Sequence, residues 1–164
     1  MQNVEMSNGA NNDSVYVETT DGKLVFVDSA GKAHAWQVLQ FHVHAPSEHT
    51  IGGRSYDFEL HIVHIHFDEE SATEKLGVVG VMFDRELGGN QENAFIESLR
   101  AEEIRLNNLT IVKDVPLLKL TQSLKLDKIY NYKGSLTTPP CGEAVEWLVI
   151  DDPQPISDRQ LLEF

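Results

Sequence analysis

The chain is poor in cysteine, in positive charge and in long apolar runs, and each shortage excludes something. A single cysteine, Cys141, stands among 164 residues, so no internal disulfide framework holds the fold together. A lone thiol is either a small buried hydrophobe suited to a reducing compartment or one half of an unmatched disulfide, and composition leaves both open. With 13 Lys and Arg against 26 Asp and Glu, the net charge is -13. That balance argues against nucleic acid and anionic membranes as partners, since both demand a basic footprint. No stretch reaches the roughly 20 apolar residues that span a bilayer. The opening MQNVEMSNGANNDS lacks the basic and apolar regions of a signal peptide. Repeats, low-complexity tracts and linkers are also missing, and the length and 41% hydrophobic content suit one domain, residues 1–164.

What the chain does have is short β-type runs: SVYVET, KLVFVD, WQVLQFHVHA, YDFELHIVHIHF, GVVGVMF and EAVEWLVID. Turn clusters separate them at DG (21–22), SAG (29–31) and GG (52–53 and 88–89). KLVFVD sets Phe26 against Val25 and Val27, a half-buried pattern, whereas GVVGVMF is apolar throughout and reads as a central strand. QENAFIESLRAEEIRL predicts a helix capped by Asn90, with Phe95, Ile96 and Leu99 on its buried stripe, and SDRQLLEF opens another near Ser157. The expected fold class is α+β and β-rich: a single large, mostly antiparallel twisted sheet with a few short peripheral helices.

Six of the seven histidines lie between Phe41 and Phe67. His42 and His44, two apart on a strand, look to one side. A turn at IGGRS brings back a strand on which Glu59, His61 and Val63 share a face. Three imidazoles converging from paired strands leave one tetrahedral corner open, the layout of a catalytic zinc. His64 and His66 face the other way and His34 sits in the polar turn GKAHAW, so packing or surface roles are expected of them. The spacing H-x-H-x3-E in HVHAPSE also fits the first metal motif of the cupins, with Glu48 as a direct ligand to iron or manganese. A cupin needs a further histidine from a later strand; His61 comes too early and His66 is the last histidine in the chain.

A second segment, KGSLTTPPCGEAVEW, completes a pattern. With QFHVHAPSEH, ELHIVH and GVVGV it resembles the α-class carbonic anhydrases, in the same order and spacing and through most of the chain. The resemblance implies reversible hydration of carbon dioxide to bicarbonate and a proton, with Zn2+ held by His42, His44 and His61. Thr137 would accept a hydrogen bond from zinc-bound hydroxide and donate to Glu48, aiming a lone pair at carbon dioxide, and Thr138 would line the same pocket. Gln40, His49 and Glu59 would support the ligands from behind, and Val63, Val78, Leu136, Val145 and Trp147 would form the apolar wall of the substrate pocket. Inhibition by sulfonamides and weak esterase activity go with the family.

Departures from the family carry their own expectations. Where fast members export protons through a histidine in an N-G-H segment, this chain has SNGANN, with Ala10 in the matching place. No proton shuttle is identified, which implies turnover limited by proton transfer and rescued by small buffers such as imidazole. Segments that family members carry before and after this region are absent, so the domain reads as incomplete at both ends. Sheet edges exposed in this way would be covered by dimerisation or strand exchange between copies. Cys141 follows TTPP where secreted members have a bridged cysteine, which points to a secreted or periplasmic setting, with a cytoplasmic one left open. The rival functional class is a catalytically silent, carbonic-anhydrase-like binding module. Such relatives usually lose a zinc histidine, and all three are present here.

Overall fold

The computed structural model describes residues 3–8, 15–18, 22–27, 31–66, 75–101, 110–113, 115 and 117–164. Nine strands are described: β1 (Asn3–Asn8), β2 (Val15–Glu18), β3 (Lys23–Val27), β4 (Ala33–His44), β5 (Phe58–His66), β6 (Leu76–Asp84), β7 (Thr110–Lys113), β8 (Ile129–Gly134) and β9 (Val145–Pro155). They form one sheet in the order β7-β1-β2-β4-β5-β6-β9-β8. β3 pairs with Ala33–Gln37 of β4, on the edge that β2 occupies further along. Every pairing is antiparallel except β6 with β9. Among the described residues three short α-helices accompany the sheet: α1 (Ala94–Ser98), α2 (Leu117–Ser123) and α3 (Asp158–Leu161). The β-rich, mostly antiparallel class read from the sequence is the one observed.

Both faces of the central strands are buried. One carries the larger core, including Phe41, Val43, Phe58, Leu60, Ile62, Val79, Val81 and Phe83, closed by Phe95, Ile96 and Leu99. The other carries Tyr56, Val63, Val78, Met82, Val145, Trp147 and Val149. Because side chains alternate, β5, β6 and β9 each feed both cores, which is why they read as continuous apolar runs.

β4 obeys this rule in two halves. Its pairing with β5 slips between Val38 and Gln40, leaving Leu39 as an exposed extra residue. Before the slip, Val38 faces the larger core; after it, Phe41 and Val43 do, while Gln40, His42 and His44 turn to the other side. A bulge of this kind re-aims a strand without ending it. The hairpin to β5 turns at Gly52 and Gly53, both at positive φ between the bridged pair Ile51 and Arg54, and only glycine adopts that backbone freely.

Two expectations need correction. The first helix is capped by Asn93, not Asn90: Asn93 Oδ1 accepts from the backbone N–H groups of Phe95 and Ile96. Asn90 stands at φ 65 and instead accepts from the Asp158 N–H. The helix ends at Ser98 and Arg100 has φ 51; residues 102–106 of the expected span lie outside the described residues. His34 is not in a turn but in β4, stacked between Phe26 and Trp36. The helix expected near Ser157 is α3, and Ser157 caps it reciprocally with Gln160.

Candidate metal centre

His42 and His61 are directly paired across β4 and β5, and His44 is paired with Glu59. Matched positions on antiparallel strands point to the same side, so three imidazoles and one carboxylate meet on the face opposite the larger core. Ligand atoms of His42, His44 and His61 all lie within 4.8 Å of one another. The ring centroids are 4.7 to 5.1 Å apart.

Which nitrogen faces the centre is set from behind. His42 Nδ1 donates to Gln40 Oε1 at 2.9 Å, leaving Nε2 for the centre. His61 Nε2 donates to Glu59 Oε1 at 2.8 Å, leaving Nδ1, which lies 3.3 Å from His42 Nε2. His44 Nε2 is buried without a hydrogen-bond partner, although Glu48 Oε2 stands 3.4 Å away. A buried, unpartnered nitrogen beside two others aimed the same way is costly unless something fills the space between them.

Burial and mutual repulsion keep His42 and His44 unprotonated. Burial, then the repulsion of His61 and His44, lowers the His42 pKa from 6.5 to about 3. His44 is lowered in the same direction, by burial and then by His61. Neutral imidazoles are the form that binds a metal. Three nitrogen donors with room for a fourth ligand fit Zn2+.

Glu59 anchors the arrangement. It is fully buried, and its carboxylate accepts from His61 Nε2, from His49 Nδ1 at 2.5 Å, and from the backbone N–H groups of Glu48 and His49, both at 2.9 Å. Burial alone would raise its pKa, but the hydrogen bonds from His49 and His61 outweigh that and hold it well below the usual carboxylate range. The chain continues outward: His49 Nε2 meets the Tyr132 hydroxyl at 2.7 Å. Trp147 packs against both His49 and His61, with centroids 4.7 and 4.8 Å apart, and its Nε1 donates to Ser135 O.

The residues expected around the ligands distribute as follows. Gln40, His49 and Glu59 stand behind the imidazoles, as just described. Val63, Val78, Val145 and Trp147 share one apolar cluster with Leu136 packed against it. Glu48 leans over the cluster, its Oε2 3.9 Å from His61 Nδ1. Thr137 and Thr138 are exposed on the loop after β8, and no hydrogen bond joins Thr137 to Glu48 among the described residues. His64 is buried on the other face, where Nδ1 donates to Gly77 O. Cys141 is a free, exposed thiol at φ 55. Ala10 lies outside the described residues.

Three supporting residues escape sequence reasoning. Tyr132 carried no signal of its own. Gly80 sits opposite His61, where a Cβ would come within 3.1 Å of Glu59 Oε1. At Gly134 a Cβ would come within 2.7 Å of the Tyr132 ring and 3.0 Å of Trp147. A glycine inside an otherwise apolar strand is the available signal for such close approach.

Fold and cluster together define a class: a single-sheet β protein with a three-histidine centre of the kind that suits zinc. Comparison narrows it. The family model for the eukaryotic-type carbonic anhydrases matches residues 1–164. The chain is 35% identical over 149 residues to a carbonic anhydrase of Klebsiella pneumoniae, covering 90% of this chain and 55% of that protein. It is 36% identical over 150 residues to alpha carbonic anhydrase 3 of Arabidopsis thaliana, covering 86% and 50%. Among solved structures, a hyperthermostable carbonic anhydrase from an active hydrothermal vent chimney superimposes with TM-score 0.78 at 32% identity, over 98% of this chain and 65% of that one. The Photobacterium profundum alpha-carbonic anhydrase gives TM-score 0.77 at 32%, over 99% and 68%. This chain belongs to the eukaryotic-type, or α-class, carbonic anhydrase family. It spans about half the length of the curated relatives it matches.

Proposed function

We propose that the chain catalyses the zinc-dependent, reversible hydration of carbon dioxide to bicarbonate and a proton. The observation that carries this reading is the convergence of His42 Nε2, His44 Nε2 and His61 Nδ1, two of them held in their tautomers by Gln40 and Glu59. When bound there, zinc supplies the Lewis acidity that makes water a nucleophile near neutral pH, as is known of carbonic anhydrases generally.

The protein's own residues do the rest. Gln40 and Glu59 keep two ligand lone pairs turned inward and the rings fixed, support that governs metal affinity. The wall of Val63, Val78, Leu136, Val145 and Trp147 offers an apolar seat for a substrate without a net dipole and keeps competing water away. Thr137 would accept a hydrogen bond from the attacking oxygen and donate its own to Glu48, orienting that oxygen toward carbon dioxide. Thr138 lines the entry side. The place of Cys141 directly after TTPP, where secreted members of the family carry a bridged cysteine, supports a secreted or periplasmic setting.

The test combines zinc analysis with stopped-flow carbon dioxide hydration, with and without a sulfonamide. One zinc per chain and sulfonamide-sensitive hydration are expected. Stoichiometric zinc without such hydration would instead favour a catalytically silent binding module, and loss of zinc uptake would remove the centre altogether.

A further inference from the structure

His34 and His66 take no part in the centre described above, yet they are not scattered. They lie at the end of β4 and β5 remote from His44, where Trp36 pairs with His66. Because β4 changes sides at its bulge, His34, Trp36, His64 and His66 all belong to the face opposite His42, His44 and His61. Trp36 is 1% exposed, and the two imidazoles beside it are half-buried. His34 stacks on the indole at 5.5 Å and 14°, with Phe26 stacked beyond it at 6.2 Å. His66 meets the indole edge-on at 5.6 Å, and the centroids of the two imidazoles are 6.5 Å apart.

We infer that His34 and His66 form a second metal site, for a divalent transition ion that prefers imidazole, such as Ni2+, Cu2+ or Zn2+. An ion about 2.1 Å from a ring nitrogen lies about 3.2 Å from the ring centre. Two rings sharing it therefore stand about 5 Å apart in tetrahedral geometry and at most about 6.5 Å apart when opposed. The first cluster has the shorter spacing, 4.7 to 5.1 Å. His34 and His66, with centroids 6.5 Å apart, stand at the longer limit, the spacing of two opposed ligands. The stack of Phe26, His34 and Trp36 holds one ring in place, which lowers the entropy cost of chelation. Half-exposure lets an ion enter with its remaining waters.

Trp36 is the reporter. Its indole touches both proposed ligands, whereas Trp147, the other tryptophan, lies against His61. The experiment is a Ni2+ titration of tryptophan emission in the full chain and in His42→Ala, which disables the first cluster, each with and without His34→Gln or His66→Gln. Saturable quenching is expected to persist in His42→Ala, and its midpoint to rise at least tenfold when either His34 or His66 is replaced. Circular dichroism checks the fold of each variant. In the unaltered chain, paramagnetic broadening by Ni2+ should also reach the ring protons of His34 and His66, a readout that needs no substitution. Quenching in His42→Ala that survives both glutamine substitutions overturns the assignment. So do His34 and His66 resonances that stay sharp while Ni2+ saturates the first cluster.

Discussion

Replacing Glu59 by glutamine puts the architecture of the proposed metal centre to a sharp test. All four neighbours of this carboxylate are donors: two imidazole nitrogens on Oε1 and two backbone N–H groups on Oε2. In Glu59→Gln an NH2 group must face one of these pairs. Facing the backbone pair would leave two buried N–H groups unsatisfied, at about 1–3 kcal/mol each, and a backbone N–H cannot move its proton. Facing the imidazoles costs less, because each ring can shift its proton to the other nitrogen. For His61 that other nitrogen is Nδ1, the atom turned toward His42. The substitution therefore leaves the fold largely in place and blocks one ligand. Loss of such support behind a metal ligand lowers affinity by about 10–100-fold, or about 1.4–2.8 kcal/mol. The zinc dissociation constant, measured by competition with a chromophoric chelator, should rise by that factor. Imidazole 15N shifts should report His61 moving its proton from Nε2 to Nδ1. An affinity within twofold of the parent, with the His61 tautomer unchanged, would refute the reasoning.

Further expectations follow from neighbouring contacts. Gly80→Ala places a methyl 3.1 Å from a Glu59 oxygen that hydrogen bonds hold still, so a loss of about 1–3 kcal/mol is expected in urea unfolding; an unchanged midpoint would contradict the close approach. Tyr132→Phe removes the hydrogen bond to His49 and should cost about 1 kcal/mol. Tyr130→Phe, which loses only a 3.3 Å contact with Asp151 on the exposed edge, should cost much less, and equal midpoints for the two variants would deny Tyr132 its role. Burial lowers the pKa of His64 from 6.5 to about 4. Because the folded value is the lower one, the unfolded chain takes up the proton first as pH falls. Stability is therefore complete above pH 6.5 and is lost down to pH 4, by about 3 kcal/mol from this group. Denaturant midpoints between pH 7 and 4 should fall more steeply for the parent than for His64→Leu, and parallel profiles would show that His64 is not the buried neutral base described here.

The histidine cluster was legible because it depends on rules of short range. Parity puts His42 with His44 and Glu59 with His61 and Val63, and the Gly52–Gly53 turn brings the two strands back to back in register. Features that depend on distant partners were not legible. The bulge at Leu39 arises where β4 is paired by β5 on one side and by both β2 and β3 on the other. Simple alternation along the whole of β4 would have put Val38 beside His42. Asn90 and Asn93 are equally good caps by residue type, and the choice falls to Asn93 because Gln160, from far along the chain, binds the Asn93 backbone at both N and O. The Tyr132–His49 contact joins residues 83 positions apart, and nothing local to either announces it.

By itself, then, the amino-acid sequence determined the β-rich class, the three imidazoles and the carboxylate behind one of them, because strand periodicity and turn chemistry act over a few residues. Only the tertiary structure decided which nitrogen of each ring faces the centre, how Glu59 is held and where β4 changes sides. It also decided that His34 and His66 meet around Trp36 on the opposite face. Each of these is set by groups that come together only when the sheet has assembled, since a hydrogen bond or a ring contact between remote residues has no counterpart in the spacing of either one.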